Sequence, residues 1–111
     1  MDSEKSAKRV GPKEVKPVTK DGVRYEAIHW GKEKGLGQNG GFIRAVDGKT
    51  GKELWTLEVY RTEYDKEKEE DVQDVFITKI SASLFGGKLK IENERGEKFE
   101  VDLKTRKVER K

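Results

Sequence analysis

Three features of this 111-residue chain combine residue types and spacings that chemistry uses. Gly35-Leu36-Gly37-Gln38-Asn39-Gly40-Gly41 carries the G-x-G-x-x-G spacing with which backbone amides cradle phosphates. His29, the single histidine, is a side-chain type that serves as a general base or metal ligand near neutral pH. Glu63 to Asp74 (EYDKEKEEDVQD) gathers seven acidic and two basic side chains, enough oxygen ligands in principle for calcium.

The surroundings of each feature decide against the chemistry. A dinucleotide loop must open a helix at its last glycine, whereas Phe42 to Val46 reads as strand and Asp47-Gly48 then stops the chain. A kinase-type glycine loop does lie between strands, but no H-R-D or D-F-G element accompanies it. The acidic run lacks the central glycine and ligand spacing of an EF-hand, which leaves a solvated acidic loop or a short helical turn capped by Asp65. His29 has no cysteine or second histidine to complete a metal set, and a strand-end residue bonded locally is its plainer role. No cysteine means no disulfide, no thiol catalysis and no Cys-based zinc or iron–sulfur site. No Ser-His-Asp set, P-loop or supported carboxylate pair occurs either. The expectation is a non-enzyme, with no catalytic, cofactor-binding or metal-binding residue and no cofactor.

The elements that would position these residues are short. Hydrophobic residues make up 32% of the chain and charged residues 42%, so the core is small and the surface dense in charge. Aromatic residues from Tyr25 to Phe99 nevertheless recur among spaced Val, Ile and Leu, the pattern of a folded domain rather than a disordered chain. The net charge of +3 belongs to residues 1–20, which hold six basic and three acidic residues; residues 21–111 hold 19 of each sign. The basic balance is therefore a property of the tail, and weak support for nucleic-acid binding by the domain. No apolar run approaches the ~20 residues of a membrane span, and no signal-peptide core is visible. The expected location is cytoplasmic, with export after loss of an unseen signal as the alternative.

Residues 1–20, with both prolines and many lysines, predict a disordered basic tail, Val15 to Val18 lying extended against the domain. Residues 21–111 predict a single β domain. Val23, Tyr25 and Ala27 alternate with charged residues; Gly41 to Val46 and Leu54 to Tyr60 follow, the latter with Trp55, Leu57 and Val59 on one face. Val75 to Leu84 has apolar residues on both faces, as a central strand or one crossing between layers would. Lys88 to Glu92 and Lys98 to Leu103 flank a turn at Asn93-Glu94-Arg95-Gly96, and a last strand surrounds Val108. The fold class is all-β: a small antiparallel sheet, sandwich or barrel of six to seven short strands, with at most one short helical turn.

Asp47-Gly48-Lys49-Thr50-Gly51-Lys52 is a self-capping turn: Asp47 accepts from amides just ahead, Thr50 adds a second cap and Gly51 supplies a left-handed residue. The skeleton recurs 55 residues later as Asp102-Leu103-Lys104-Thr105-Arg106-Lys107, each copy preceded by valine, as a repeated hairpin device. Ala45-Val46-Asp47-Gly48-Lys49-Thr50-Gly51-Lys52-Glu53-Leu54-Trp55 resembles the A-x-D-x-x-T-G-K-x-L-W signature of blades in pyrroloquinoline-quinone-type β-propellers, and Gly96 to Val108 resembles a degraded second copy. The resemblance implies antiparallel hairpins with Trp55 as a core anchor. It brings neither the propeller, for which the chain is too short, nor quinone binding. The run from Tyr25 to Tyr60 also resembles small uncharacterised bacterial proteins, a similarity that carries no activity.

The leading expectation is a non-catalytic binding or structural module of unknown partner. Its contact surface is placed at the Gly35 to Gly41 loop, with His29, Trp30, Gly37, Gln38, Asn39 and Phe42 as partner-binding residues. Trp30 either packs under the loop or, if exposed, marks the surface. The alternative is a nucleic-acid-binding β domain using the tail and the basic C-terminal hairpin, and an enzyme using His29 stands third.

Overall fold

A computed structural model describes residues 11–64, 73–83 and 86–111. The chain forms β1 (Val18–Lys20), β2 (Val23–Ile28), a 3-10 turn (Gly31–Lys34), β3 (Phe42–Asp47), β4 (Glu53–Glu58), β5 (Ile77–Ala82), β6 (Lys88–Asn93), β7 (Lys98–Asp102) and β8 (Val108–Arg110). Strands β1-β2-β3-β4 make one four-stranded antiparallel sheet and β5-β6-β7-β8 another, each a meander in sequence order. The all-β expectation holds, as two sheets rather than a closed barrel.

The period-2 pattern produces these strands and one shared core. In the first sheet Tyr25, Ala45 and Trp55 lie in register across β2, β3 and β4; in the second, Leu89 pairs with Val101 and Ile91 with Phe99. Ile43, Ala45, Leu89 and Val101 are fully enclosed, in a single apolar cluster that draws on both sheets. Each buried aliphatic or aromatic side chain contributes about 1.5–3 kcal/mol. Trp55 is half-buried at the rim of this cluster, 5.9 Å from the Tyr25 ring, with the Arg106 guanidinium 5.3 Å from its own ring. A turn of the second sheet thereby reaches a strand of the first.

The two meanders repeat one design. Asp47 Oδ1 accepts from the amides of Lys49 (2.8 Å) and Thr50 (3.3 Å), and Asp102 Oδ1 from those of Lys104 (2.8 Å) and Thr105 (3.2 Å). Thr50 and Thr105 each accept from the amide two residues on, at 3.2 Å. Each turn also docks on the neighbouring hairpin of its own sheet: Gly48 N–H donates to Gly22 C=O (2.9 Å) and Leu103 N–H to Gly87 C=O (3.1 Å). The repeated hairpin is thus the third and fourth strand of each sheet.

Two expectations are corrected. The ordered sheet begins at Val18, inside the stretch assigned to the tail. Val18 pairs with Tyr25 and Lys20 with Val23, across an Asp21-Gly22 turn with φ of 52° and 78°. Val15 packs against the core, in keeping with the expectation that Val15 to Val18 lies against the domain. The strand expected over Val75 to Leu84 is not central: β5 stands at an edge of its sheet and lies against β1 and β2. Its apolar residues face both ways for two reasons. A register shift between Ile77 and Lys79 changes their parity, and Val75 and Phe76, both buried, pack beneath the glycine loop. The helical turn expected in the acidic run falls largely on residues 65–72, outside the described residues. Among the described residues no helix is long and apolar enough to cross a membrane.

Candidate contact surface

The loop between β2 and β3 is a pinned structure. Its 3-10 turn closes when Gly35 N–H donates to Lys32 C=O (3.1 Å) and Leu36 N–H to Gly31 C=O (2.9 Å). Gly40 N–H then donates to His29 C=O (2.9 Å), joining the two ends. Two amide side chains do the rest. Asn39 Oδ1 accepts from Lys32 N–H (3.0 Å), while its Nδ2 donates to Asp74 Oδ2 (3.2 Å). Gln38, fully buried, donates from Nε2 to the carbonyls of Tyr60 (2.8 Å) and Gly40 (3.2 Å) and accepts at Oε1 from Thr62 N–H (2.8 Å).

Apart from Lys32 and Gly40 in the loop itself, the partners of these amides, Tyr60, Thr62 and Asp74, come from the chain following β4 and preceding β5, so the loop ties the two sheets together at one end. Asp74, buried, also accepts from the Tyr64 hydroxyl (2.6 Å), and the Tyr60 hydroxyl donates to Val75 C=O (2.6 Å). Burial pushes the Tyr60 phenol well above its ordinary pKa, and the Glu94 carboxylate adds to the rise. Gly40 has φ +75°, and a Cβ there would stand 2.4 Å from Val75 C=O. That close approach requires glycine.

Of the six residues expected to meet a partner, the structure gathers all but distributes them by depth. Gln38 and Phe42 are buried. Asn39 and His29 are half-buried, His29 with Nε2 3.1 Å from Lys13 C=O and its ring 5.3 Å from the Phe76 ring, edge-on. Gly37 is exposed, and so is Trp30, with 46% of its surface open. The Trp30 ring stands edge-on to Phe76 at 5.5 Å, so a buried residue of the opposite sheet's leading segment fixes an exposed indole. Beside the loop, Lys32 Nζ lies 4.6 Å from the Tyr64 ring.

The phosphate-cradle geometry does not form: Gly40 leads into β3, not into a helix, and amides of the loop turn inward to its own carbonyls. Among the described residues no three His, Cys, Asp or Glu side chains gather as a metal site. Sequence reasoning missed the supports Tyr60, Thr62, Tyr64 and Asp74. The one available signal was Asp74 directly preceding the apolar run Val75-Phe76-Ile77. The chain matches no family model and no curated protein sequence.

Proposed function

We propose that this protein is a non-catalytic binding or structural module whose contact surface is centred on Trp30, flanked by the exposed rim of the glycine loop. The observation that carries the reading is the combination of exposure and fixation at Trp30: the ring is open to solvent yet already held against Phe76. A pre-placed indole loses little side-chain entropy on association, and such residues dominate binding energy where they occur. The buried Gln38 and Phe42 support this surface from beneath rather than touching a partner. In the same reading the β3–β4 hairpin is a blade-like unit, with Trp55 as its anchor between meanders.

The rival use of the C-terminal hairpin for nucleic acid draws less support. There Lys111 lies 3.0 Å from Glu109 and 3.5 Å from Glu100, Lys88 lies 3.7 Å from Glu100, and Arg110 is already bound to Glu97 at 2.7 Å. The test is partner capture from the native host by full-length chain, comparing wild type with Trp30→Ala and with Leu54→Ala, a second exposed apolar residue. Trp30→Ala is expected to lower capture of the specific partner at least about fivefold, and Leu54→Ala to leave it unchanged. Equal capture by all three, or binding of DNA in a low-salt gel shift that Trp30→Ala does not alter, overturns the reading.

A further inference from the structure

Asn39-Gly40 is the one place in the chain where a glycine follows an asparagine; the other asparagine, Asn93, precedes Glu94. With no side chain beside it, a glycine amide nitrogen is open to attack the Cγ of the asparagine before it. Asparagine is a thermolabile residue, and this pairing leaves its chemistry least hindered. The glycine loop nevertheless requires both residues. Position 39 needs a side chain that accepts from Lys32 N–H (3.0 Å) and also donates to the Asp74 carboxylate (3.2 Å), which an amide does and an ionised acid cannot. Position 40 needs glycine, because a Cβ would stand 2.4 Å from Val75 C=O.

The contacts that require this pair also hold its chemistry back. Gly40 N–H donates to His29 C=O (2.9 Å), so the nitrogen cannot lose its proton and attack until that bond opens. Asn39 Nδ2, the group that must depart, is bonded to Asp74. Gly40 itself is buried against Val75 and Phe76, which leaves its backbone no room to turn while the loop is closed.

From these contacts we infer that Asn39 is a latent modification site: the closed loop holds off its deamidation, and deamidation, once complete, unties the loop from Asp74. The Gly40 nitrogen gives up its proton and bonds to Asn39 Cγ; the Cγ–Nδ2 bond breaks, and ammonia leaves with that proton. Water then adds to either carbonyl of the resulting succinimide and breaks its C–N bond, leaving aspartate or isoaspartate. Aspartate cannot donate to Asp74, and it sets two carboxylates where an amide and a carboxylate stood. Lys32, with Nζ 4.6 Å from the Tyr64 ring, brings one positive charge to this corner, enough for one carboxylate and not for two. Isoaspartate disturbs the loop further, because it adds a carbon to the main chain beside Gly40, where even a Cβ does not fit. The inference concerns the covalent fate of the loop and holds whether or not Trp30 meets a partner.

The test holds the full chain folded, and in parallel unfolded in urea, in mildly alkaline buffer. Mass spectrometry of the tryptic peptide 35–44 follows the conversion, with fragment ions separating Asn39 from Gln38. The unfolded chain is expected to deamidate at Asn39, and the folded chain to do so at least about tenfold more slowly, because the loop must open first. Asn39→Asp is expected to lower the urea midpoint. Combining it with Asp74→Asn is expected to recover at least about half of that loss, since donor and acceptor are restored with their places exchanged. Protection by folding of less than about tenfold, no conversion in the unfolded chain, an Asn39→Asp protein as stable as wild type, or an exchanged pair no more stable than Asn39→Asp alone would each overturn the assignment.

Discussion

Removing the Gln38 side chain would leave the Tyr60 carbonyl and the Thr62 amide buried at the junction of the sheets without the partner that now serves both. An orphaned buried group of this kind costs about 1–3 kcal/mol. Gln38→Ala is therefore expected to lower the urea midpoint by the equivalent of about 3 kcal/mol, and Gly40→Ala by at least about 2 kcal/mol, because its Cβ collides with Val75 C=O in a left-handed backbone. Trp30→Ala gives up only an exposed ring and its edge contact with Phe76, about 1 kcal/mol. Denaturant unfolding of the three variants checks the ranking; a Gln38→Ala protein as stable as wild type would remove the structural role assigned to that amide. The depth of these residues was not legible in the sequence. Glycine spacing says where the backbone turns sharply, but the contacts of Gln38 lie 22 and 24 positions away, at Tyr60 and Thr62.

The repeated turn isolates what an element asks of its residues. Both copies need a left-handed residue before the final lysine: Gly51 at φ +76° in one, Arg106 at φ +63° in the other. An L-residue with a side chain pays about 1–2 kcal/mol in that conformation. Two effects offset this at Arg106: its unfolded chain is less free than glycine's, by about 0.5–1 kcal/mol, and its guanidinium lies over Trp55, worth about 0.5–1 kcal/mol at an exposed site. Arg106→Gly is thus expected to change stability by less than about 1 kcal/mol alone. In a Trp55→Leu background it becomes more favourable by the lost ring contact, about 0.5–1 kcal/mol. A double-mutant cycle by thermal unfolding measures that coupling, and a value of zero means the contact carries no energy. The element scale is also where the sequence was most legible. Alternation places β2, β4, β6 and β7, whereas β3, buried on both faces at Phe42, Ile43, Ala45 and Val46, reads as a strand from its apolar run ahead of the Asp47-Gly48 turn. It missed β1, whose three residues Val18-Thr19-Lys20 follow a proline and are too few to show a period. It left β5 between a central strand and one crossing between layers, because parity cannot distinguish a strand buried on both faces from one whose leading residues Val75 and Phe76 support a loop.

Across the whole molecule, ionisation sets the limits of stability from both sides. On the acid side, Glu26 is held below the usual carboxylate range: burial raises its pKa, but hydrogen bonds and charge from Arg24 and Arg44 outweigh that. Glu97 is lowered first by Asn93, and Asp102 by the amides of Thr105 and Lys104. A carboxylate lowered in the folded state contributes stability above its unfolded pKa and loses it as pH falls through the folded value, so unfolding should become easier progressively below about pH 4. On the alkaline side, burial raises Tyr60, and Tyr25 as well, above the ordinary 10.0. A phenol raised on folding contributes stability that is complete below pH 10 and lost as the unfolded chain ionises above it. Tyr60→Phe separates the two consequences of that hydroxyl. At pH 7 it removes the 2.6 Å bond to Val75 C=O and is expected to cost about 1–2 kcal/mol. Above pH 10 wild type alone suffers the linked loss at this position, so the stability gap should narrow steadily with pH. Urea midpoints of the two proteins at pH 7 and pH 11 decide it: a gap that stays constant would mean the Tyr60 phenol ionises as readily in the folded protein as in the unfolded chain, and that this junction of the sheets is open to water.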